Sequence, residues 1–322
     1  MKNICFVLPA ILLIWVLISG CGNHAGPQND LNSKLKGRIS ISGAFALYPI
    51  TVKWAEEFQK LHPNVQIDVS AGGAGKGMTD ALSQMIDIGM FSRGVSEEEI
   101  RKGAWFIALT KDAVLPTINA ENPYLKEIKS KGLTRENFAT LFLDNSALTW
   151  NQLVNNARAD KINVYTRSDA CGAAEMWGKY LGKDQESLEG VGVFGDPGMA
   201  DAVKSDKFGI GYNNVIYAYD ISSRKVYPGM DIIPIDINGN GTIDKEEDFY
   251  NTLDDIMNAI RQDKYPSPPA RDLYFVSKGK PQNIAVIEFI KWILGDGQKY
   301  VNEAGYVALS PEKIQNELMK LK

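Results

Sequence analysis

The stretch TRSDACGAAEMWGKYL, residues 166–181, joins a strand-like segment to an amphipathic helix through small side chains. The preceding letters, KINVYTR, are typical of a strand, and Met176, Trp177 and Tyr180 recur at helical spacing after the turn. A helix start exposes unpaired backbone N–H groups and the positive end of the helix dipole, which together favour an anion. Arg167 stands just before this helix start. The stretch therefore predicts a strand-turn-helix unit whose turn could bind an anion.

Strand-like and helical segments alternate along the rest of the chain, which favours an α/β architecture. The predicted strands are GRISISGAF, VQIDVSA, DIGMFSR, FGIGYNNVIYAY and RDLYFVSK, and the predicted helices are ALYPITVKWAEEFQKLHP, MTDALSQMI and NIAVIEFIKWILGDGQKYVNEAGY. Two further turns, SGAFALYP at 42–49 and AGGAGKG at 71–77, also pass from strand to helix through small residues. Three such turns could aim backbone N–H groups at one point and form an anion cradle. Lys76 lacks the spacing of a nucleotide-binding P-loop, so a nucleotide is not expected.

The first 36 residues are predicted to lie outside the folded part. Residues 1–20 carry an apolar run too short for a stable transmembrane helix, and the small residues before Cys21 are typical of a lipoprotein signal whose cysteine is lipidated. An ordinary signal peptide or an uncleaved anchor is the alternative. Residues 21–36 are polar and contain Gly and Pro, which indicates a flexible tether. With Cys5 in the signal and Cys21 lipidated, Cys171 has no partner for an intrachain disulfide.

A second motif, DINGNGTIDKEE at 236–247, fits the calcium-loop pattern D-x-[DN]-x-[DN]-G-x5-E completely. Gly241 permits the sharp turn of such a loop, and Ile243 is its apolar anchor. The segment that follows, KEEDFYNTLDDIMNAI, is predicted to be helical, whereas the segment before it, KVYPGMDIIPI, is strand-like. We therefore expect half of an EF-hand that holds structural Ca²⁺, with an Asn/Gly-rich surface turn as the alternative. The expected ligands are Asp236, Asn238, Asn240, Thr242 through its carbonyl, Asp244 and Glu247.

Composition and histidine count argue against two functional classes. The formal net charge is −4, and no basic patch with interleaved aromatic residues indicates a nucleic-acid partner. The two histidines are His24 in the tether and His62 in a predicted surface turn, so a nucleophile would have almost no general base. Cys171, at a helix start near Arg167, could have a lowered pKa, but a buried and inert thiol is the favoured interpretation. We therefore predict a binding protein and not an enzyme.

The order of these segments, from ISGAFALYPITVKWAEEF through SAGGAGKGMTDAL, DIGMFSR and VYTRSDACGAAEMW to EAGYVALS, resembles the phosphate-binding substrate proteins of bacterial ABC transporters over residues 37–311. The resemblance implies an α/β periplasmic-binding-protein fold of the second type, with the ligand in a cleft between two lobes. It implies a first lobe at 37–112 and 269–322 and a second lobe at 113–268. It further implies an extracytoplasmic monomer, anchored to the membrane by lipid on Cys21 and facing the periplasm in a Gram-negative cell. Its partners would be phosphate or a related small oxyanion and the transporter permease.

The resemblance also implies where the ligand binds. Typical members offer Ser or Thr hydroxyls from three loops, where this chain has Ala44 to Ala46, Ala74, Cys171 and Ala173. Arg93 stands where well-known members have an acidic residue that accepts a phosphate proton. Arg167 would supply charge, Asp169 would orient it, and backbone N–H groups would supply donors. The alternative is a diverged non-transport binding or sensor protein with the same fold that does not bind phosphate. The expected ligand-site residues are Ala44, Phe45, Ala46, Gly73, Ala74, Gly75, Arg93, Arg167, Asp169, Cys171, Gly172 and Ala173.

Overall fold

The computed structural model describes residues 35–144, 148–154 and 158–322. The predicted signal segment and the predicted lipidation site at Cys21 lie outside these residues. Within the described ranges, strands and helices alternate as the sequence predicts. No helix of the described chain combines the length and the apolar character needed to span a bilayer.

The element bounds define the strand-turn-helix units that position the site. The strands are β1 (Gly37–Gly43), β2 (Val65–Ala71), β3 (Ile88–Phe91), β4 (Ala104–Asn119), β5 (Asn163–Arg167), β6 (Val191–Val193), β7 (Gly209–Asn214), β8 (Met230–Ile232) and β9 (Ala270–Lys278). The α-helices are α1 (Tyr48–Leu61), α2 (Ala74–Leu82), α3 (Glu97–Arg101), α4 (Leu125–Lys131), α5 (Arg135–Leu143), α6 (Gly172–Tyr180), α7 (Gly195–Ser205), α8 (Val215–Ala218), α9 (Leu253–Arg261), α10 (Ile284–Leu294) and α11 (Pro311–Met319).

One long antiparallel pair of strands connects the two ends of the sheet. The strand order is β2-β1-β3-β9-β4-β7-β5-β6, and β8 pairs with β4 beside this path. The pairs β1–β2, β1–β3, β5–β6 and β5–β7 are parallel, so the carboxyl ends share an edge within the group β1–β3 and within the group β5–β7. The 16-residue strand β4 is buried along most of its length and carries polar residues such as Lys111 and Asp112 in its middle, so it lacks the alternation that marks a half-exposed strand. This explains why the sequence pattern did not predict it.

Two hydrophobic cores lie on either side of this long strand pair. Along β4, Leu109 belongs to the core that contains β1–β3, whereas Ala113 belongs to the core that contains β5–β7. Along β9, Ala270 belongs to the second of these cores and Leu273 to the first. We call the core that contains β1–β3 the first core and the core that contains β5–β7 the second core. We call the layer between them, around Asp112 and Arg271, the seam. Asp112 of β4 and Arg271 of β9 lie opposite each other in the strand register. Both strands thus pass from one core to the other within a few residues of this pair.

Three segments differ from their predicted structure. The strand predicted for FGIGYNNVIYAY ends at Asn214, and the helix α8 follows it. Helix α2 begins at Ala74, so the residues predicted as a Gly-rich turn form its first turn. The prediction of a helix directly after the loop 236–247 is wrong about where that helix begins. Helix α9 begins only at Leu253, where the side chain of Thr252 accepts a hydrogen bond from the first turn.

Candidate functional site

Each of the three predicted turns follows the carboxyl end of a parallel strand and precedes a helix. After β1, Gly43 adopts a φ of 136° and packs so closely on Met90 that an added Cβ would lie 2.3 Å from the Met90 oxygen. Ala44 then donates its N–H to the same oxygen at 2.9 Å. The backbone N–H groups of Phe45 and Ala46 open the following helical turn, where no intrahelical acceptor precedes them. The first turn therefore offers backbone donors and no side-chain hydroxyl.

The turns contact one another across the seam. The Gly75 N–H, in the first turn of α2, donates to the Ala170 oxygen at 3.0 Å. Gly172, which begins α6, lies so close to Ser92 that an added Cβ would be 2.2 Å from the Ser92 oxygen. The structure therefore brings the second and third predicted loops together. It also corrects one prediction, because the Gly75 N–H is already used by Ala170 and is not available to an anion in this arrangement.

Arg167 lies at the centre of these contacts with a side chain that is 1% exposed. Its Nε and Nη2 donate to the two carboxylate oxygens of Asp169 at 2.8 and 2.7 Å, and Nη1 donates to Asp196 Oδ2 at 2.9 Å. The ring of Phe45 lies 5.9 Å from the guanidinium carbon. Burial by itself lowers the pKa of Arg167, but the neighbouring carboxylates outweigh it and raise this pKa above its ordinary value. Arg167 therefore stays charged.

Asp169 does what the resemblance implies, since it holds the guanidinium in a bidentate pair. Its Oδ1 also accepts the N–H of Gly195 at 3.1 Å, which ties the loop to the start of α7. Gly73, with φ of 91°, faces this carboxylate so closely that an added Cβ would lie 3.0 Å from Asp169 Oδ2. Gly73 therefore leaves room for the Arg167–Asp169 pair at the seam.

Cys171 is buried and caps α6. Its Sγ accepts the N–H of Ala174 at 3.4 Å, and its own N–H donates to Gln185 Oε1 at 3.0 Å. Burial raises the pKa of the Cys171 thiol to about 12, and the positive charge of Arg167 offsets this only in part. The thiol therefore stays protonated, and the structure favours the inert thiol over the activated one.

The remaining predicted cation, Arg93, points to a different partner. Its Nη2 and Nη1 donate to the two carboxylate oxygens of Glu99 at 2.7 and 3.1 Å, and Nη1 also donates to the Gly94 oxygen. Its guanidinium lies 4.5 Å from the centre of the Phe91 ring. Among the described residues, no hydrogen bond joins Arg93 to Arg167 or to its two carboxylate partners. In this arrangement the Arg93 guanidinium is paired with Glu99.

A buried polar network continues from Arg167 through residues that sequence reasoning missed. Asp196 accepts the side-chain amide of Asn214, and the Asn214 oxygen accepts Nη2 of Arg271. The same Nη2 lies 3.4 Å from Oδ2 of Asp112. Burial raises the pKa of Asp112 to about 6, although Arg271 lowers it. For Asp112, Asn214 and Arg271 the available signal was a charged or amide residue inside a strand segment, whereas Asp196 lies in α7 and had no such signal.

The loop 236–247 holds its two end carboxylates inside the protein. Asp236 and Glu247 are buried, at 2% and 5% exposure. Asp236 Oδ2 accepts the Gly241 N–H at 2.8 Å, and Glu247 Oε1 accepts the Ile237 N–H at 2.9 Å. The two carboxylates therefore fold the loop back on itself by binding its backbone donors.

The middle of the same loop is exposed. Asp244 Oδ2 accepts the side-chain amides of Asn238 and Asn240 at 2.9 and 2.8 Å, and the Thr242 N–H donates to the Asn240 side-chain oxygen. Across the described ranges, no three His, Cys, Asp or Glu side chains are arranged as a group that could hold a metal ion. The predicted ligands thus lie in one loop, where their side chains bond to the loop's own donors.

Comparison with known proteins defines the class to which this architecture belongs. The family model described as the PBP superfamily domain matches residues 29–297. The chain therefore belongs to the PBP superfamily, and the predicted α/β fold of the periplasmic binding proteins is confirmed.

Several of the individual proteins that the chain resembles are named for phosphate binding or phosphate transport. It is 25% identical to "Phosphate-binding protein PstS" of Staphylococcus haemolyticus, over 99% of this chain and 96% of that protein. It is 24% identical to the protein of the same name from Staphylococcus aureus, over 100% and 93% of the two chains. A Clostridium perfringens protein, solved with bound phosphate and described as a substrate-binding protein of a phosphate ABC transporter, shares the fold with a TM-score of 0.68 and 20% identity, over 85% of this chain and 100% of that one. A Vibrio cholerae receptor of ABC-type phosphate transport shares it with a TM-score of 0.61 and 19% identity, over 84% and 100%.

Proposed function

We propose that this chain is an extracytoplasmic substrate-binding protein that captures phosphate or a related small oxyanion for an ABC transporter. The observation that carries the proposal is the position of Arg167, a buried and permanently charged side chain where helix starts from both cores meet. The names of the similar proteins support phosphate as the first ligand to test. The partner that receives the ligand would be a transporter permease.

The mechanism would be closure of the two cores over the anion. From the first core, the helix starts at Phe45, Ala46 and Ala74 present backbone N–H groups toward the seam. From the second core, Gly172 and Ala173 begin α6 and present theirs. An anion that accepts from both sets is fully contacted only when the seam is closed, so binding and closure stabilise each other.

The missing hydroxyls predict a weaker site than in hydroxyl-bearing relatives. A hydrogen bond to a charged group contributes about 1.5–3 kcal/mol. Four such contacts absent from the positions of Ala44, Ala74, Cys171 and Ala173 therefore correspond to several orders of magnitude in the dissociation constant. We expect phosphate binding that is weak unless other donors in the seam replace those hydroxyls.

A second function, that of a sensor or scaffold without a phosphate ligand, is favoured by a specific observation. Some donors of the seam are already used, since Gly75 donates to Ala170 and Arg167 is paired with Asp169 and Asp196. With these donors satisfied by the protein, the seam can close without an anion. The two functions differ in whether the purified protein takes up an oxyanion.

Titration calorimetry with phosphate, arsenate and sulfate separates the two functions. We expect phosphate to bind the wild type and Arg167→Lys to weaken binding at least tenfold, because the lysine cannot keep the planar fork that the two carboxylates orient. Arg224→Lys is the matched control, since Arg224 pairs with Asp254 near the surface. If none of the three anions binds the wild type, the sensor or scaffold function replaces the transport function.

We further propose that Cys21 carries the lipid that anchors the protein to the membrane. The small residues before Cys21 and the polar tether after it support this proposal. Metabolic labelling with a palmitate analogue should label the wild type and a Cys171→Ala control, and should not label Cys21→Ala. Equal labelling of the wild type and Cys21→Ala would contradict the proposal.

We also propose that the loop 236–247 binds Ca²⁺ as a structural clip. The complete motif supports it, as do two buried carboxylates for which the described residues supply no cationic partner. Binding would require the Asp244 carboxylate and the Asn238 and Asn240 amide oxygens to turn toward the ion. The loop would then exchange hydrogen bonds among its own side chains for calcium ligands.

Melting curves in calcium and in chelator test this proposal. Binding to the native state alone adds about 2.7 kcal/mol of stability when calcium exceeds its dissociation constant a hundredfold. We expect chelation to lower the melting temperature of the wild type but not of Asp236→Asn or Glu247→Gln. Asp248→Asn is the matched control, because Asp248 is adjacent to the motif and its carboxylate accepts the Asn251 side-chain amide at the surface. Identical wild-type melting in both conditions, with no calcium uptake by calorimetry, would leave the motif a surface turn.

A further inference from the structure

One buried arginine in the seam has donors that the fold does not use. Arg271, in β9, has a side chain that is 3% exposed. Its Nε and Nη1 have no hydrogen-bond partner among the residues that the structure describes. Buried polar groups in folded proteins almost always have a partner, and a buried donor without one costs free energy. These two nitrogens therefore indicate a group that the chain itself does not supply.

The position of Arg271 places those donors at the proposed ligand site. Arg271 pairs in register with Asp112 where β4 and β9 pass from one core to the other. Its Nη2 donates to the Asn214 side-chain oxygen, and the Asn214 amide donates to Asp196. Asp196 in turn accepts from Arg167 at 2.9 Å. Only two side chains thus separate the two buried arginines, and both lie in the seam.

In the part of the chain that the structure describes, the carboxylates around Arg271 have hydrogen-bond partners, whereas two of the three guanidinium nitrogens of Arg271 do not. The three carboxylates of the network already accept protein donors: Asp112 accepts the Ala113 N–H at 2.7 Å, Asp169 the Gly195 N–H, and Asp196 the Asn214 amide. Arg271, in contrast, uses one nitrogen of three. Burial lowers the pKa of Arg271, and the charges of Asp112 and Asp196 only partly restore it. The network therefore has unsatisfied donors, which an oxygen acceptor would complete.

We infer that Arg271 is a second anion-contacting residue, whose Nε and Nη1 donate to oxygens of the oxyanion held by Arg167. The inference rests on the proposed function and deepens it. The ligand class is a small oxyanion with several acceptor oxygens, such as phosphate. Charged donors from Arg271 would replace the hydroxyls that are absent at Ala74, Cys171 and Ala173.

Phosphate titration of Arg271→Gln and Arg271→Lys, with the intact mature protein, tests the inference. Loss of each charge-assisted hydrogen bond weakens binding by about 10-fold to 100-fold, so Arg271→Gln, which loses at least one of the two, should bind phosphate at least about 10-fold more weakly. Arg271→Lys should fall between Arg271→Gln and the wild type, because it keeps the charge and loses the fork. Arg224→Gln is the control and should bind phosphate as the wild type does. A melting curve for each variant separates loss of fold from loss of binding.

The outcomes distinguish this inference from the function on which it rests. If the wild type binds no phosphate, both fail. Suppose instead that the wild type binds phosphate, that Arg167→Lys loses binding, and that folded Arg271→Gln keeps the wild-type affinity. Only the inference is then overturned, and a buried water would be the partner of Arg271.

A measurement on the wild type covers the case in which Arg271→Gln does not fold. In protein labelled with ¹⁵N-arginine, the Nε–H signal of Arg271 is the one that disappears in Arg271→Lys. We expect this signal to shift on titration with phosphate. An Arg271 signal that stays constant while the Arg167 signal shifts would overturn the inference.

Discussion

Replacing Gly172 with alanine should oppose closure of the seam without destabilising either core. Gly172 begins α6, where alanine would otherwise favour the helix by up to about 1 kcal/mol. The new Cβ, however, would lie 2.2 Å from the Ser92 oxygen and 2.3 Å from its Oγ. Ordinary van der Waals contact begins near 3.4 Å, so the two groups would have to separate by more than an ångström. Because Ser92 belongs to the other side of the seam, opening the cores relieves the contact.

The expected magnitude follows from the cost of overpacking, about 1–3 kcal/mol. If that cost falls on the closed state alone, the apparent dissociation constant of a ligand that requires closure rises by about 5-fold to 150-fold. Calorimetry with phosphate measures this change, and small-angle X-ray scattering compares the radius of gyration with and without phosphate. We expect Gly172→Ala to remain more open than the wild type at the same phosphate concentration.

A matched glycine provides the control. Gly198 also lies in a helix of the second core, α7, and an added Cβ there would meet no atom within 4 Å. Gly198→Ala should therefore bind phosphate as the wild type does. Wild-type affinity in Gly172→Ala would refute the reasoning, as would a lower melting temperature with unchanged affinity, since Gly172 would then pack within one rigid unit.

Three further predictions follow from the seam. Burial raises the pKa of the Cys171 thiol to about 12, so this thiol should react with a thiol reagent at pH 8 only as fast as the seam opens. Cys171→Ser gives the background rate. Reaction of Cys171 at the rate of a free thiol, after this correction, would contradict its buried placement. The folded protein holds the Asp112 proton more tightly than the unfolded chain, so stability from this group is lost as the pH rises from about 4 to about 6. Urea unfolding at pH 4.5 and 7 should show that Asp112→Asn removes a fall of about 2 kcal/mol. Arg93 stands where well-known members of the resembled family have a carboxylate that accepts the phosphate proton, and Arg93 itself pairs with Glu99. A site without that acceptor should not distinguish phosphate from the unprotonated sulfate ion, so sulfate should compete with phosphate in calorimetry. A selectivity above a thousandfold for phosphate would show another proton acceptor in the site.

Local sequence patterns were sufficient where one physical effect determines an element. β2 spans the predicted VQIDVSA, in which alternate residues face the first core. In α6, Met176, Trp177 and Tyr180 pack on the second core at the predicted helical spacing. Patterns failed where tertiary contacts decide, as in β4, one stretch of which is buried in the first core and the next in the second core. They also failed after Glu247, where the chain remains irregular until Thr252 caps the next helix.

The candidate site divides in the same way. Helix starts and the adjacent Arg167–Asp169 pair are local features, so the sequence indicated them. The use of the Gly75 N–H by Ala170 depends on two segments far apart in the chain, and no local pattern encodes that distance. The meeting of Asp112 with Arg271 likewise depends on the register between β4 and β9. The sequence therefore predicted residues on each side of the seam, but not which residues of the two sides contact each other.

The location of the charged network suggests why it is retained. Buried ion pairs contribute little net stability because desolvation offsets their attraction, yet removing one partner is costly. In this chain Arg167, Arg271 and their carboxylates are not within either apolar core but between them. Arg167, Asp169 and Asp196 all belong to segments of the second core, whereas Asp112 and Arg271 lie on the two strands that connect the cores. Relative movement of the cores therefore leaves the Arg167 pairs intact and separates Gly73 and Gly75 of the first core from Asp169 and Ala170. An oxyanion that accepts from Arg271 and from the helix starts of both cores would favour the arrangement in which these contacts are made, so it would couple ligand binding to closure.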